Sequence, residues 1–265
     1  MASEIEPLTT STYWESVWEG SPNRPVDPRH HYDRDVISLL CRAAAGRPSD
    51  LSLIEAGCGG SMWLPYLART YGWQVAGVDY SSRGCATAVA MLRAAGATGL
   101  ILERDLLEPQ PDLEARFDIV YSAGLVEHFT NPVPMLRQFA RFLKPGGAVV
   151  TLVPNFHNPV TVIQRLVGPR RLAGHKVYSA RELEAIHADA GFRTEAVRYL
   201  GIGGMVVPDF SEESDSPRAR AYRVARAGAS SAVRAARRLA DGARIILPHT
   251  RWTSPSIGYI GRVSD

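Results

Sequence analysis

Between residues 50 and 200 short apolar runs of strand length alternate with segments whose apolar residues recur at helical spacing. Runs at 51–56, 73–78, 100–104, 117–122, 148–153 and 192–199 read as strands, and 257–263 as a last one. Helices are expected over 34–45, 62–71, 134–142 and 179–190, and from Ser81 or Ser82 to Ala95. In the 179–190 segment Ser179 and Glu182 have capping-box spacing, and Gly191 suits the C-terminal cap. A short helix is also expected around Tyr13 and Trp14, before a loop carrying Pro22, Pro25 and Pro28. Consecutive parallel strands need a crossover, and a helix is the usual one. The expected architecture is therefore α/β: a Rossmann-like, mostly parallel seven-stranded sheet with helices on both faces.

Composition sets the outer limits. Of 265 residues 45% are apolar and 22% charged, which suits a globular core and excludes a disordered chain. Three cysteines cannot make a disulfide scaffold, so a reducing compartment, the cytoplasm, is expected. The opening MASEIEPLTTSTYWES lacks the basic start and apolar centre of a signal peptide, and no stretch nears the ~18 apolar residues of a membrane span. The net charge of +3 hides an asymmetry: residues 211–244 hold eight Arg against four acids. Without a recognition module beside it, this segment reads as the solvated face of an Ala/Arg-rich helix, and a nucleic-acid partner is not expected. Three parts follow: a helical lid or cap over 1–50, a ligand-binding core over 51–200, and a C-terminal part over 201–265 with the inserted helix and the final strand.

In an open parallel sheet ligands bind outside the carboxyl ends of the strands. Four such ends carry distinctive residues. The first ends in Glu55-Ala56-Gly57-Cys58-Gly59-Gly60-Ser61, where glycines let the chain turn tightly and let a ligand approach backbone. The second ends at Asp79, 22 residues beyond Gly57, where an acid can bind ribose hydroxyls. The third leads into Asp105-Leu106, and the fourth into Ser122-Ala123-Gly124. A dinucleotide-binding reading uses the same acid at Asp79 but leaves Asp105 and the turn at Leu143-Lys144-Pro145-Gly146-Gly147 unexplained.

Taken together the set resembles a class I S-adenosylmethionine-dependent methyltransferase of the small-molecule branch. The resemblance rests on Leu53-Ile54-Glu55-Ala56-Gly57-Cys58-Gly59, Gly77-Val78-Asp79-Tyr80-Ser81, Phe117-Asp118-Ile119-Val120, Val126-Glu127-His128-Phe129 and Leu143-Lys144-Pro145-Gly146-Gly147. It covers about residues 50–200. It implies S-adenosyl-L-methionine as cofactor. Glu55 would lie near the methionine amino end and Gly57 and Gly59 along its backbone path. Asp79 would bind the ribose, Tyr80 would lie against adenine, Asp105 and Leu106 would read its edge, and Ser122 would face the methionine part. Ser61 departs from the pattern, since a third glycine is frequent there, and its Cβ is expected to hold the loop slightly farther from the ligand.

Methyl transfer is an in-line displacement in which positioning supplies much of the rate, and a base is needed only where the acceptor must lose a proton. His128 is the first candidate base, because an imidazole suits proton abstraction near neutral pH. A packing role is its alternative, since Glu-His at this point accompanies different acceptors in the resembled family. His31 and Tyr32 are further catalytic candidates on the N-terminal segment. Tyr13, Trp14, His157 and Tyr178 are candidates for contact with the acceptor, with Trp14 and Trp18 alternatively forming one face of a docked helix. No metal is expected: Cys41, Cys58 and Cys85 lack ligand spacing. The expected partner is a small molecule offering an O, N or C nucleophile, of aromatic or indole-like type, and a homodimer stays open. Two other functions also remain open at this point. One is an RNA or protein methyltransferase using residues 211–244; the other is a non-catalytic cofactor-binding protein.

Overall fold

The strands assemble into one sheet. In chain order they are β1 (Ser52–Ala56), β2 (Gln74–Asp79), β3 (Leu100–Glu103), β4 (Phe117–Ala123), β5 (Leu143–Pro154), β6 (Phe192–Leu200) and β7 (Ser256–Val263). The computed structural model describes residues 5–19, 24–47, 49–158, 161, 174–202 and 248–263, together with positions 220, 224, 228, 231 and 235. The Ala/Arg-rich helix expected within 211–244 thus falls largely outside the described residues.

The strand order is β3-β2-β1-β4-β5-β7-β6. β1 pairs in parallel with both β2 and β4, so the order reverses between β1 and β4, which makes that point the topological switch of the sheet. β7 slots between β5 and β6 and runs antiparallel to both. The sheet is therefore seven-stranded and mostly parallel, with one reversed strand.

Helices cover both faces. α1 (Ser11–Val17) and α2 (His31–Ala43) precede the sheet; α3 (Trp63–Tyr71), α4 (Ser82–Ala94), α5 (Val133–Phe142) and α6 (Ala180–Asp189) connect its strands. One face packs Leu136 and Phe139 of α5 and Leu183 of α6 against Ile54, Val120 and Val149. The other packs Val36 and Leu40 of α2, Leu64 of α3 and Leu92 of α4 against Leu53, Ile119 and Val150. Alternate strand residues serve opposite faces, as a pleated strand buried on both sides requires. Within the 1–50 segment α2 is thus embedded in the core, whereas α1 lies elsewhere, over the carboxyl ends of the strands.

Caps fix where the helices start. Ser81 Oγ accepts from Gly84 N at 2.9 Å, and Ser179 with Glu182 forms the capping box. The Leu143–Gly147 segment belongs to β5, yet it keeps a turn: Phe117 pairs with Leu143 and Ile119 already with Ala148, so the residues between loop out, with Gly146 at φ +74°.

Candidate functional site

The turns after β1, β2, β3 and β4 open at one end of the sheet, and α1 closes over them. Between them lies a cavity of about 880 Å³, within the ~300–1,000 Å³ usual for small-molecule sites. Glu55, Gly57, Gly59, Asp79, Tyr80, Asp105, Leu106 and His128 line it from the sheet side, and Tyr13 and Trp14 from α1.

Gly57 starts the loop after β1 at φ +72°, a conformation that favours glycine. Gly59 N then donates to Asp79 Oδ2 at 2.8 Å, while Asp79 Oδ1 accepts from Ser81 N at 2.8 Å. The acid at the end of β2 thereby ties the glycine loop to the start of α4. Burial raises the Asp79 carboxyl above its ordinary value against the lowering effect of these N–H donors. Asp105 Oδ1 accepts from Leu107 N at 2.8 Å, which fixes the turn that brings Leu106 and Leu107 to the cavity wall.

Glu55 is 4% exposed, and burial pushes its carboxyl up to about 8 in spite of a hydrogen bond donated by Ser61 Oγ. The same Oγ accepts from Trp63 N at 3.1 Å and Leu64 N at 3.2 Å, so Ser61 also caps α3.

The lid is anchored along its length. Leu8 N donates to His128 O at 2.7 Å and Thr130 N to Glu6 O at 3.0 Å, laying residues 6–8 beside residues 128–130. Trp14 Nε1 donates to Thr9 Oγ1 at 3.0 Å, and its ring meets the His128 ring edge-on with centroids 4.9 Å apart. Trp18 lies on the glycine loop itself: a Cβ on Gly59 would stand 2.7 Å from its indole. Arg83 of α4 pairs with Glu15 and Glu19.

His128 Nδ1 donates to Gly174 O at 2.8 Å, since a carbonyl only accepts. Burial, with His175 beside it, pushes the imidazole down to about 3, so it is a weak proton acceptor near neutrality. His175 lines the cavity too, with its ring 4.4 Å from that of His128, and burial pushes it down to about 4.

Five expected site residues lie away from the cavity lining. His31 Nε2 hydrogen-bonds with Ile202 O at 2.8 Å, and Tyr32 OH with Ser256 Oγ at 3.3 Å, both on the α2 side of the sheet. Ser122 is buried one residue short of the wall, which is formed by Ala123 and Gly124. His157 is held in an Asx turn through its backbone N–H and Asn155 Oδ1, and Tyr178 is buried in the core cluster around α5 and α6. Conversely, Met62, Trp63 and Leu125 line the cavity without having stood out in the sequence, and Phe129 lines it though it stood out only as part of the Val126–Phe129 motif. They are apolar, and apolar residues look the same in sequence whether they pack or face a ligand. Among the described residues no group of three or more His, Cys, Asp or Glu side chains is arranged to hold a metal ion.

Comparison with known proteins bears on this geometry. Residues 29–197 match the family model described as "Methyltransferase domain". A ubiquinone biosynthesis O-methyltransferase of Rhodopseudomonas palustris is 30% identical over 156 residues, 55% of this chain and 58% of that protein. One from Leptothrix cholodnii is 30% identical over 161 residues, 59% of this chain and 63% of that protein. The chain thus spans about three fifths of the length of the curated relatives it matches. Among solved structures, the cyclase SpnF superposes with a TM-score of 0.60 at 20% identity, covering 97% of this chain and 98% of its own. Magnesium protoporphyrin IX methyltransferase from Synechocystis PCC 6803, solved with bound S-adenosylhomocysteine, gives 0.55 at 15% identity, covering 96% and 95%. With the family model spanning more than half the chain and the fold shared with these proteins, the chain belongs to the methyltransferase-domain family, of the class I S-adenosylmethionine-dependent kind.

Proposed function

We propose that this protein transfers a methyl group from S-adenosylmethionine to a small, uncharged aromatic acceptor. The observation that carries this reading is the make-up of the cavity wall. Its described lining holds four acids, Glu55, Asp79, Asp105 and Glu127, and neither Lys nor Arg. Such a wall favours a cationic cofactor and disfavours a phosphate- or carboxylate-bearing acceptor. That speaks against a nucleic-acid substrate. Tyr13, Trp14 and Phe129, with the two neutral imidazoles, supply the apolar and aromatic remainder.

The residues fit the cofactor. Asp79 would bind the ribose hydroxyls, Tyr80 would lie against adenine, Asp105 and Leu106 would read its edge, and Glu55 would meet the ammonium of the methionine end. A buried carboxyl near 8 becomes a carboxylate once an ammonium arrives beside it. When bound, the sulfonium supplies an electrophilic methyl and a neutral thioether leaving group. The chain aligns acceptor and donor, and α1 keeps water out. The names of the relatives support an acceptor of quinone-precursor type, and the free cysteines Cys41, Cys58 and Cys85 support a reducing, cytoplasmic setting.

The test is calorimetric titration with S-adenosylhomocysteine, followed by transfer of labelled methyl to a panel of hydroxylated and amino aromatics. Binding followed by transfer is the expected result. Binding with no transfer to any aromatic would leave a cofactor-binding protein, a real alternative on a fold that also carries a cyclase.

A further inference from the structure

Of the four acids on the cavity wall, Glu127 is the one that the cofactor leaves unused. It sits in the short 3₁₀ turn Val126–His128 after β4, is 1% exposed, and faces the cavity. Its Oε2 has no hydrogen-bond partner among the described residues. The carboxyl keeps a backbone hydrogen bond, but its Oε2 has lost water without gaining a partner, which costs stability. An acceptor atom of that kind, aimed into a cavity, is placed for a donor that comes with the ligand.

The surroundings say what carries the donor. A run of rings passes through Trp14, His128, His175 and Phe156, with successive centroids 4.9, 4.4 and 5.4 Å apart, and the first three line the same cavity as Glu127. With His128 Nδ1 donating to Gly174 O, neither imidazole of this run bears a charge near neutrality. These rings are uncharged and stand edge-on or tilted to one another, an aromatic wall for an acceptor ring to contact.

We propose that Glu127 accepts the proton of a hydroxyl borne on an aromatic acceptor, whose ring lies along Trp14, His128 and His175. The inference rests on the methyl-transfer reading above. As the O–H bond breaks, its proton passes to Glu127 Oε2. The oxygen's electron pair forms the new bond to the methyl group, and the old S–CH₃ bond returns its pair to sulfur. The products are an aryl methyl ether, a neutral thioether and a protonated Glu127, which then loses its proton to water. Burial raises this carboxyl to about 8, so the ionised form that accepts the proton grows as the pH rises through that value.

The test uses the whole chain saturated with S-adenosylhomocysteine, with 2-naphthol and 2-methoxynaphthalene as fluorescent probes that differ only in the hydroxyl. The wild-type protein should bind the naphthol about tenfold more tightly than the ether, the worth of a hydrogen bond to an otherwise unpartnered buried acceptor. Glu127→Leu should erase that preference. Glu127→Gln should cut labelled-methyl transfer to 2-naphthol by at least about a hundredfold. In both variants S-adenosylhomocysteine affinity should stay within about threefold, and in Glu127→Leu the melting temperature near neutral pH should stay level or rise, because a buried oxygen without a partner has been removed. A purely structural Glu127 would instead lower the melting temperature on substitution. Equal binding of naphthol and ether by the wild type, a preference that survives Glu127→Leu, no transfer to 2-naphthol by the wild type, or undiminished transfer by Glu127→Gln would each overturn the assignment. Failure of the folded wild type to bind S-adenosylhomocysteine would overturn the methyl-transfer reading beneath it, and is seen separately in the first titration.

Discussion

The hydroxyl of Ser61 serves two elements at once. It donates to Glu55 Oε2 and accepts from the first N–H groups of α3. The sequence shows Ser61 only as a departure from glycine, read as a small increase in distance to the ligand. Spacing does not tell which way a hydroxyl points, so its bond to Glu55 was not legible. Ser61→Ala removes both roles. It should lower stability by about 1 kcal/mol, the usual worth of a helix cap. It should also raise the Glu55 carboxyl further, since the hydrogen bond opposes burial there. Thermal melts and S-adenosylhomocysteine titration check the two effects. Asp79 was legible in both position and type, because an acid closing the second strand has few other uses. Asp79→Ala should weaken S-adenosylhomocysteine binding about tenfold or more by calorimetry. An unchanged dissociation constant would remove Asp79 from the ribose.

α1 has seven residues, too few to be stable alone, so its place depends on what it touches. Its contacts are unequal. The Arg83 pairs with Glu15 and Glu19 are half exposed and so are worth little. Trp18 lies against Gly59, Gly60 and Gly84, covering the glycine loop with a large apolar surface. Trp18→Ala should therefore speed S-adenosylhomocysteine dissociation in stopped-flow by about tenfold or more, whereas Arg83→Ala should change it by less than about threefold. The opposite ranking would mean that the ion pairs hold the lid. At this scale the sequence shows the helices and most strands through periodicity and caps. It shows the Leu143–Gly147 turn but not that the turn sits inside β5, because a bulge is defined by the partner strand. Aromatic residues on α1 mark a cover, but no local pattern shows that Trp18 meets the loop after β1 while Trp14 meets His128.

The sheet as a whole was legible between β1 and β5, where each strand follows its crossover helix. The pairing of β7 with β5 was not, since it is set by contacts across more than a hundred residues of sequence. Whole-molecule burial also sets how stability responds to pH. Glu55 and Glu127 are raised to about 8, while His128, His175 and His187 are pushed down to about 3, 4 and 4. A raised carboxyl holds its proton in the folded state where the unfolded chain has lost it, so its contribution declines as pH rises from about 4.5 to 8. A depressed histidine is neutral in the folded state where the unfolded chain is charged, so its contribution declines as pH falls from about 6.5 towards 4. The two sets oppose each other below pH 6.5, and only the carboxyls act above it. The ligand-free protein should thus be most stable near pH 6.5 and lose up to about 2 kcal/mol per carboxyl by pH 8. That is a fall of several degrees in melting temperature at this chain length. Glu127→Gln should remove about half of the fall, and a melting temperature flat from pH 6.5 to 8 in the wild type would mean that both carboxyls find charge partners when the chain is in solution.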